Sequence, residues 1–203
     1  MSEDLMRDIK AIENSLNCLL PSGDEYQKWF MSFGTLLYLV RDFGQEYATD
    51  IDVSVMDNYD ADRVNYGLLQ NGFVESQKII NSITREPLFI SYETRSGNHV
   101  DIFFWKKFND MYWHTYDYNM ERPEFGIPKQ YVFKGTPAHM FAGDPVKFKW
   151  FDLISDIKIP LKYGTLLDYW YPGWVKPDPD FGQSRGVIRK IDNCSNMEKE
   201  LCL

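Results

Sequence analysis

Along residues 3 to 20, Leu5, Ile9, Ile12, Leu16, Leu19 and Leu20 recur at helical spacing, so the pattern predicts a helix with one apolar face, ended by "PSGD" at 21–24. Next, "KWFMSFG" (28–34) reads as a short strand and "TLLYLVRDF" (35–43) as a helix starting directly after Gly34. An irregular link, "GQEYAT" (44–49), leads into the strand pattern "DIDVSVM" (50–56), and residues 60–71 predict another helix closed by Gly72. Three strand-like segments follow: "FVESQKIINSI" (73–83), "PLFISYET" (87–94) and, after a turn at "RSGN", "HVDIFFWKK" (99–107). Strand, helix, strand, helix, strand, strand, strand predicts an α+β or α/β sheet with helices on one face. Beyond residue 110 the pattern loosens into aromatic and turn-rich segments, and "DNCSNMEKELCL" (192–203) reads as a short amphipathic helix or a frayed end.

Composition narrows the class. A chain of 203 residues can build one domain with a real core, and 44% apolar with 16% aromatic residues excludes disorder and fibrous repeats. The net charge of −8 argues against a protein that grips a nucleic-acid backbone non-specifically, so nucleic acid is not an expected partner. A small anionic substrate is compatible with that charge if metal ions or a few local cations bring it in. Cys18, Cys194 and Cys202 are odd in number, far apart and without a CxxC pair, which points to reduced thiols. No apolar run approaches the roughly 18 to 20 residues of a membrane span, and the charged N-terminus is wrong for a signal peptide. The expectation is a soluble, cytoplasmic chain, unless it is a domain excised from a longer, membrane-anchored Golgi-type protein.

The chemistry begins with acids in costly places. Asp50 and Asp52 interrupt an apolar, β-branched run. In a strand, side chains two apart share a face with their Cα atoms about 6.6 to 6.8 Å apart, so both carboxylates can reach one cation. Like charges that close repel unless neutralised, and hard oxygen ligands suit Mg²⁺ or Mn²⁺. Two solvated acids on an edge strand are the plainer alternative. Asp101 in "HVDIFFW" is a third lone acid in an apolar strand; alone it reads equally well as a strand-end acid facing water. Three convergent carboxylates can hold two divalent ions that stabilise the attacking and leaving oxygens of a phosphoryl displacement. Ahead of them, Gly34 and Thr35 stand at a strand-to-helix junction, where free N–H groups and the helix dipole can seat a phosphate. Taken by itself, Thr35 is better explained as a helix cap.

Together, "GTLLYLVRDFGQEYATDIDVSVM" (34–56) and "HVDIFFW" (99–105) carry a resemblance to the polymerase-β-like nucleotidyltransferase fold, and within it to the LicD and fukutin branch. "DIKIPLKYGTLLDYWYPGWVKPDP" (156–179) is similar to that branch's C-terminal pattern of a strand ending in Pro, a Leu-containing helix, then Tyr, Trp and Pro. The resemblance covers residues 26 to 185. It implies a single domain over 1–203, with a core at about 26–110 and an aromatic C-terminal part at about 111–185. The implied fold is α+β, a mixed sheet with helices packed mainly on one face. Carried over, it puts Gly34 and Thr35 at the donor phosphates, Asp50, Asp52 and Asp101 on the metals, and Arg41 beside the site or a substrate anion. Tyr171, Trp174 and Pro177 match the tail motif, whose expected job is packing. Two departures stand out: Tyr38 replaces a small residue, and Ala48 and Thr49 stand where bacterial members carry acids, which leans toward the fukutin-like side.

The implied activity is metal-dependent transfer of a phospho-alcohol, such as phosphocholine or ribitol phosphate, from a CDP-activated donor to a glycan-like hydroxyl. Transfer of NMP from an NTP is the alternative with the same acids, and a degenerate binding module is the alternative of another class. His99, His114 and His139 lack metal-ligand spacing and read as surface or hydrogen-bonded histidines. Glu46 and Glu93 are candidates for the acceptor's base, though solvated acids explain them more simply. The "YWYPGW" cluster reads as core filling ahead of base or sugar stacking.

Overall fold

The computed structural model describes residues 3–18, 29–42, 50–56, 60–81, 84–117, 131–149, 156–176 and 187–190. Helix α1 (Glu3–Cys18) buries Leu5, Ile9, Ile12 and Leu16, the face its spacing predicts. Strand β1 (Trp29–Met31) leads into α2 (Phe33–Arg41), then β2 (Asp50–Val55) and α3 (Ala61–Gln70). Asp60 caps α3 by accepting from the Arg63 N–H, and Gly72 turns the chain away at φ +85°, a conformation glycine adopts without a Cβ clash.

Strands β3 (Val74–Ile80), β4 (Pro87–Glu93) and β5 (His99–Phe104) complete a five-stranded mixed sheet in the order β1-β2-β5-β4-β3. Only β2 and β5 run parallel; the other neighbours are antiparallel. The protein is therefore α+β with a mixed sheet. Alternation assigns its two faces. On one, Ile51, Val53 and Val55 line up with Val100, Ile102 and Phe104 and with Leu88, Ile90 and Tyr92, all buried. Helix α3 packs there, with the Tyr92 hydroxyl donating to Asn65 Oδ1, and α1 packs on α3.

The other face meets a second sheet, which the loosened pattern after residue 110 conceals. Strands β6 (Lys106–Phe108), β7 (Met111–Asp117), β8 (Tyr131–Pro137) and β11 (Val187–Lys190) form it in the order β11-β8-β7-β6, and β7 lies against β4 and β5. A 3₁₀ turn (Ala138–Phe141), the hairpin β9 (Val146–Lys149) and β10 (Asp156–Ile159), and helix α4 (Tyr163–Trp170) fill out this half. Where the layers meet, Phe33 and Phe103 crowd around His114, Trp105 and Trp170, with ring centroids 4.3 to 6.2 Å apart. His114 is thus a core residue and not a surface one; burial lowers its pKa, and the charge of nearby Lys134 lowers it further.

The expected 192–203 helix, Glu46, the 44–49 link with Ala48 and Thr49, Cys194, Cys202 and Pro177 lie outside the described residues. No helix among the described residues is long and apolar enough to cross a membrane.

Candidate active site

The acids lie on the face away from Ile51 and Val53. Asp52 stands beside Asp101 on the parallel neighbour, Asp50 stands beside His99, and Ser91 of β4 lies opposite Asp101. Adjacent strands are about 4.8 Å apart, so the fold gathers Asp50, Asp52 and Asp101 on one patch of two strands. Asp50 is exposed at the open end, Asp52 and Asp101 sit further in, and the next row, Ser54 and Phe103, is buried under the aromatic cluster. Trp105 closes that inner end by donating its indole N–H to Ser54 Oγ at 2.8 Å.

Burial and mutual repulsion act on these acids. Desolvation pushes Asp52 well above the usual carboxylate range, the Asp101 charge adds to it, and an N–H bond from Thr35 opposes it. Asp101 is pushed up to about 6, first by burial; the Ser91 hydroxyl, donating to Asp101 Oδ1 at 2.6 Å, opposes the rise, while Asp50 contributes to it. His99, exposed next to Asp50, lowers Asp101 slightly. Tyr171 is packed in the core as expected; burial raises its pKa, and the Asp52 charge raises it further. Trp170 is in the core as expected, and Trp174 is half-buried, donating to Asp168 Oδ1 at 2.9 Å.

Helix α2 starts at Phe33 and not after Gly34, because Ser32 occupies the cap position in extended conformation and Phe33 makes the turn itself. Phe33 does so at φ +44°, strained for an aromatic residue, and its ring in the aromatic cluster holds it there. Gly34, in the first turn, is exposed, and a Cβ on it would lie 3.2 Å from Asp52 Oδ2. Thr35 is buried: its N–H reaches Asp52 Oδ2 at 3.4 Å and its hydroxyl is engaged with the β2 backbone. At the far end of α2, about 10 Å along the axis from Gly34, Arg41 forms a two-point ion pair with Asp42 at 2.6 and 2.7 Å. Glu93 is exposed at the end of β4, in register with His99.

Among the described residues, no three His, Cys, Asp or Glu side chains already form a metal cage. One oxygen of Asp52 faces the α2 N–H groups and one of Asp101 faces Ser91. A cleft of about 210 Å³ opens at the opposite end of β2 and β5, lined in part by Val55, Met56, Asp60 and Trp105, and contains none of the three acids.

Sequence reasoning missed Ser91 and the position of His99 beside Asp50, whereas Tyr171, read as packing, is buried in the core. The Ser91 and His99 placements were within reach: a hairpin turned at 95–98 sets Ser91 opposite Asp101, and the parallel pairing of the two acid strands sets His99 beside Asp50.

No family model and no curated protein matches the chain. Among solved structures, that of a cytoplasmic RNA terminal U-transferase is similar with 15% sequence identity and a TM-score of 0.35, over 51% of this chain. The chain spans 30% of that protein's length, and a likeness this weak carries no functional argument.

Proposed function

We propose that this protein has a polymerase-β-like nucleotidyltransferase fold of the LicD and fukutin type. Its activity would be metal-dependent transfer of a phospho-alcohol from a CDP-activated donor to a glycan-like hydroxyl. The observation that carries the phosphoryl-transfer chemistry is the placement of Asp50, Asp52 and Asp101 on one face of two adjacent parallel strands, against the first turn of α2. The CDP-linked donor and the glycan-like acceptor rest on the sequence resemblance.

The donor set fits a hard divalent ion. Three carboxylates supply oxygen ligands, and burial with mutual repulsion makes Asp52 and Asp101 poor at carrying charge without a cation. Mg²⁺ or Mn²⁺ held by Asp50, Asp52 and Asp101 would polarise the diphosphate and stabilise charge on the departing CMP. Gly34 lets the first turn of α2 approach Asp52 closely, a Cβ there lying 3.2 Å from Asp52 Oδ2, and the helix dipole at this turn favours an anion. The aromatic cluster closes the inner side of the acid row, so water reaches it from the Asp50 and His99 end.

Calorimetry with Mn²⁺ and Mg²⁺, followed by product analysis with CDP-alcohols and NTPs, tests this reading. The expected result is divalent-ion binding that Asp50→Asn or Asp52→Asn abolishes in a folded protein, with metal-dependent release of CMP. Pyrophosphate released from an NTP would assign NMP transfer instead. Wild-type protein that binds no divalent ion would sink the enzyme reading.

A further inference from the structure

Strand β1 ends at Met31, opposite Val53, and the ladder it makes with β2 closes with the Ser32 N–H donating to the Asp52 carbonyl at 3.0 Å. Beyond that point the chain turns into α2, so among the described residues the edge of β2 that faced β1 has no strand beside the Asp52 N–H and the Asp50 C=O. Both groups point to this edge, because the N–H and C=O of residues i and i+2 project to the same side of a strand. The Thr35 side chain fills the gap. Its hydroxyl accepts from the Asp52 N–H at 2.8 Å and donates to the Asp50 carbonyl at 3.2 Å, while its own N–H turns toward Asp52 Oδ2 at 3.4 Å.

A hydroxyl is one of the few groups that can donate and accept from a single atom, and here both roles are taken by backbone. Thr35 is 2% exposed. Its hydroxyl therefore has no proton to offer a phosphate while β2 keeps this conformation.

We propose that Thr35 is a positioning residue for the acid pair: its hydroxyl substitutes for the missing strand, fixing the Asp50-Ile51-Asp52 backbone so that both carboxylates are presented toward Asp101. The proposal rests on the metal-site reading above and moves Thr35 from the donor phosphate to the metal. A ligand's supporting hydrogen bonds commonly carry a 10- to 100-fold effect on metal affinity.

The two roles separate in the absence of nucleotide. Thr35→Val keeps the shape and removes the hydroxyl; Thr35→Ser keeps the hydroxyl. Mn²⁺ titration of nucleotide-free protein is expected to show a loss of about 10- to 100-fold in affinity for Thr35→Val and a change within about threefold for Thr35→Ser. Equal Mn²⁺ affinity in wild type and Thr35→Val, with the loss confined to nucleotide binding, overturns the proposal and returns Thr35 to the phosphate.

Should Thr35→Val not fold, hydrogen exchange on the wild type decides. The Asp52 amide is expected to be protected without metal or nucleotide and to stay protected in Thr35→Ser. Fast exchange at Asp52 in the wild type overturns the clamp. Because this readout needs no metal, it stands apart from the metal reading: a wild type that binds no divalent ion yet protects Asp52 fails the function and keeps the clamp.

Discussion

Asp101→Asn in chelator isolates how the acid row affects stability. In the folded protein the Asp101 carboxyl titrates at about 6, against 3.8 for an ordinary aspartate. The sign follows from proton counting. Between those values the folded state holds a proton that the unfolded chain has released, so stability falls as pH rises through this window and the loss is complete above the folded pKa. The displacement corresponds to at most ~3 kcal/mol. For a chain of this size that is on the order of 10 °C or less in Tm.

Asn fits the test because its amide oxygen can still accept from the Ser91 hydroxyl that now bonds Asp101 at 2.6 Å, while its charge does not change with pH. Thermal unfolding of both proteins in EDTA, from pH 4 to 7.5, gives a difference from which carboxylates remote from Asp101 cancel, while Asp52, raised in part by the Asp101 charge, adds to the same trend. The two should melt together near pH 4, and the Asn variant should gain on the wild type by several degrees as pH passes 6. Millimolar Mn²⁺ should then restore the wild type selectively, since a ligand present at about 100 times its Kd adds ~2.7 kcal/mol to the native state. A difference that does not change with pH in EDTA would refute the account of two crowded, desolvated carboxylates.

Two further substitutions probe the supports of the row. Ser91→Ala removes the donor to Asp101 Oδ1 and should weaken Mn²⁺ binding about 10-fold by calorimetry without unfolding the protein; unchanged affinity would make Ser91 irrelevant to the site. Gly34→Ala sets a Cβ 3.2 Å from Asp52 Oδ2, tight enough to displace the carboxylate, so metal affinity should fall while Tm in EDTA shifts by less than about 1 kcal/mol's worth, alanine being the better helix former. A large Tm loss with metal binding intact would assign Gly34 to packing.

The first half of the fold was legible because its signals are local. Alternation in "DIDVSVM" and "HVDIFF", the helical spacing of α1 and the glycine after α3 each fix an element within a few residues. The convergence of the acids was half legible: sharing a face is a property of one strand, but standing in register is a property of two. The second sheet was not legible as a layer. Its strands carry aromatic and polar residues on both sides, such as Tyr112, Trp113, His114 and Thr115, so alternation gives no clean inside and outside. The start of α2 was missed for a different reason. A turn at positive φ normally calls for glycine, and Gly34 was the glycine at hand, whereas tertiary packing of the Phe33 ring lets Phe33 make the turn.

That ring links the two halves. Without the second sheet and α4, the acid face would be an open, hydrated surface, on which aspartates side by side cost little and bind metal weakly. The β7 and α4 aromatics change this by covering the row beside the acids while leaving Asp50 exposed, which grades desolvation along three aspartates that the sequence alone makes equivalent. The same aromatics pin Phe33, and Phe33 sets where α2 begins and thus which N–H groups meet Asp52. The C-terminal part is thus no passive appendage: its rings cover the row beside the acids and hold Phe33 in the turn that faces them.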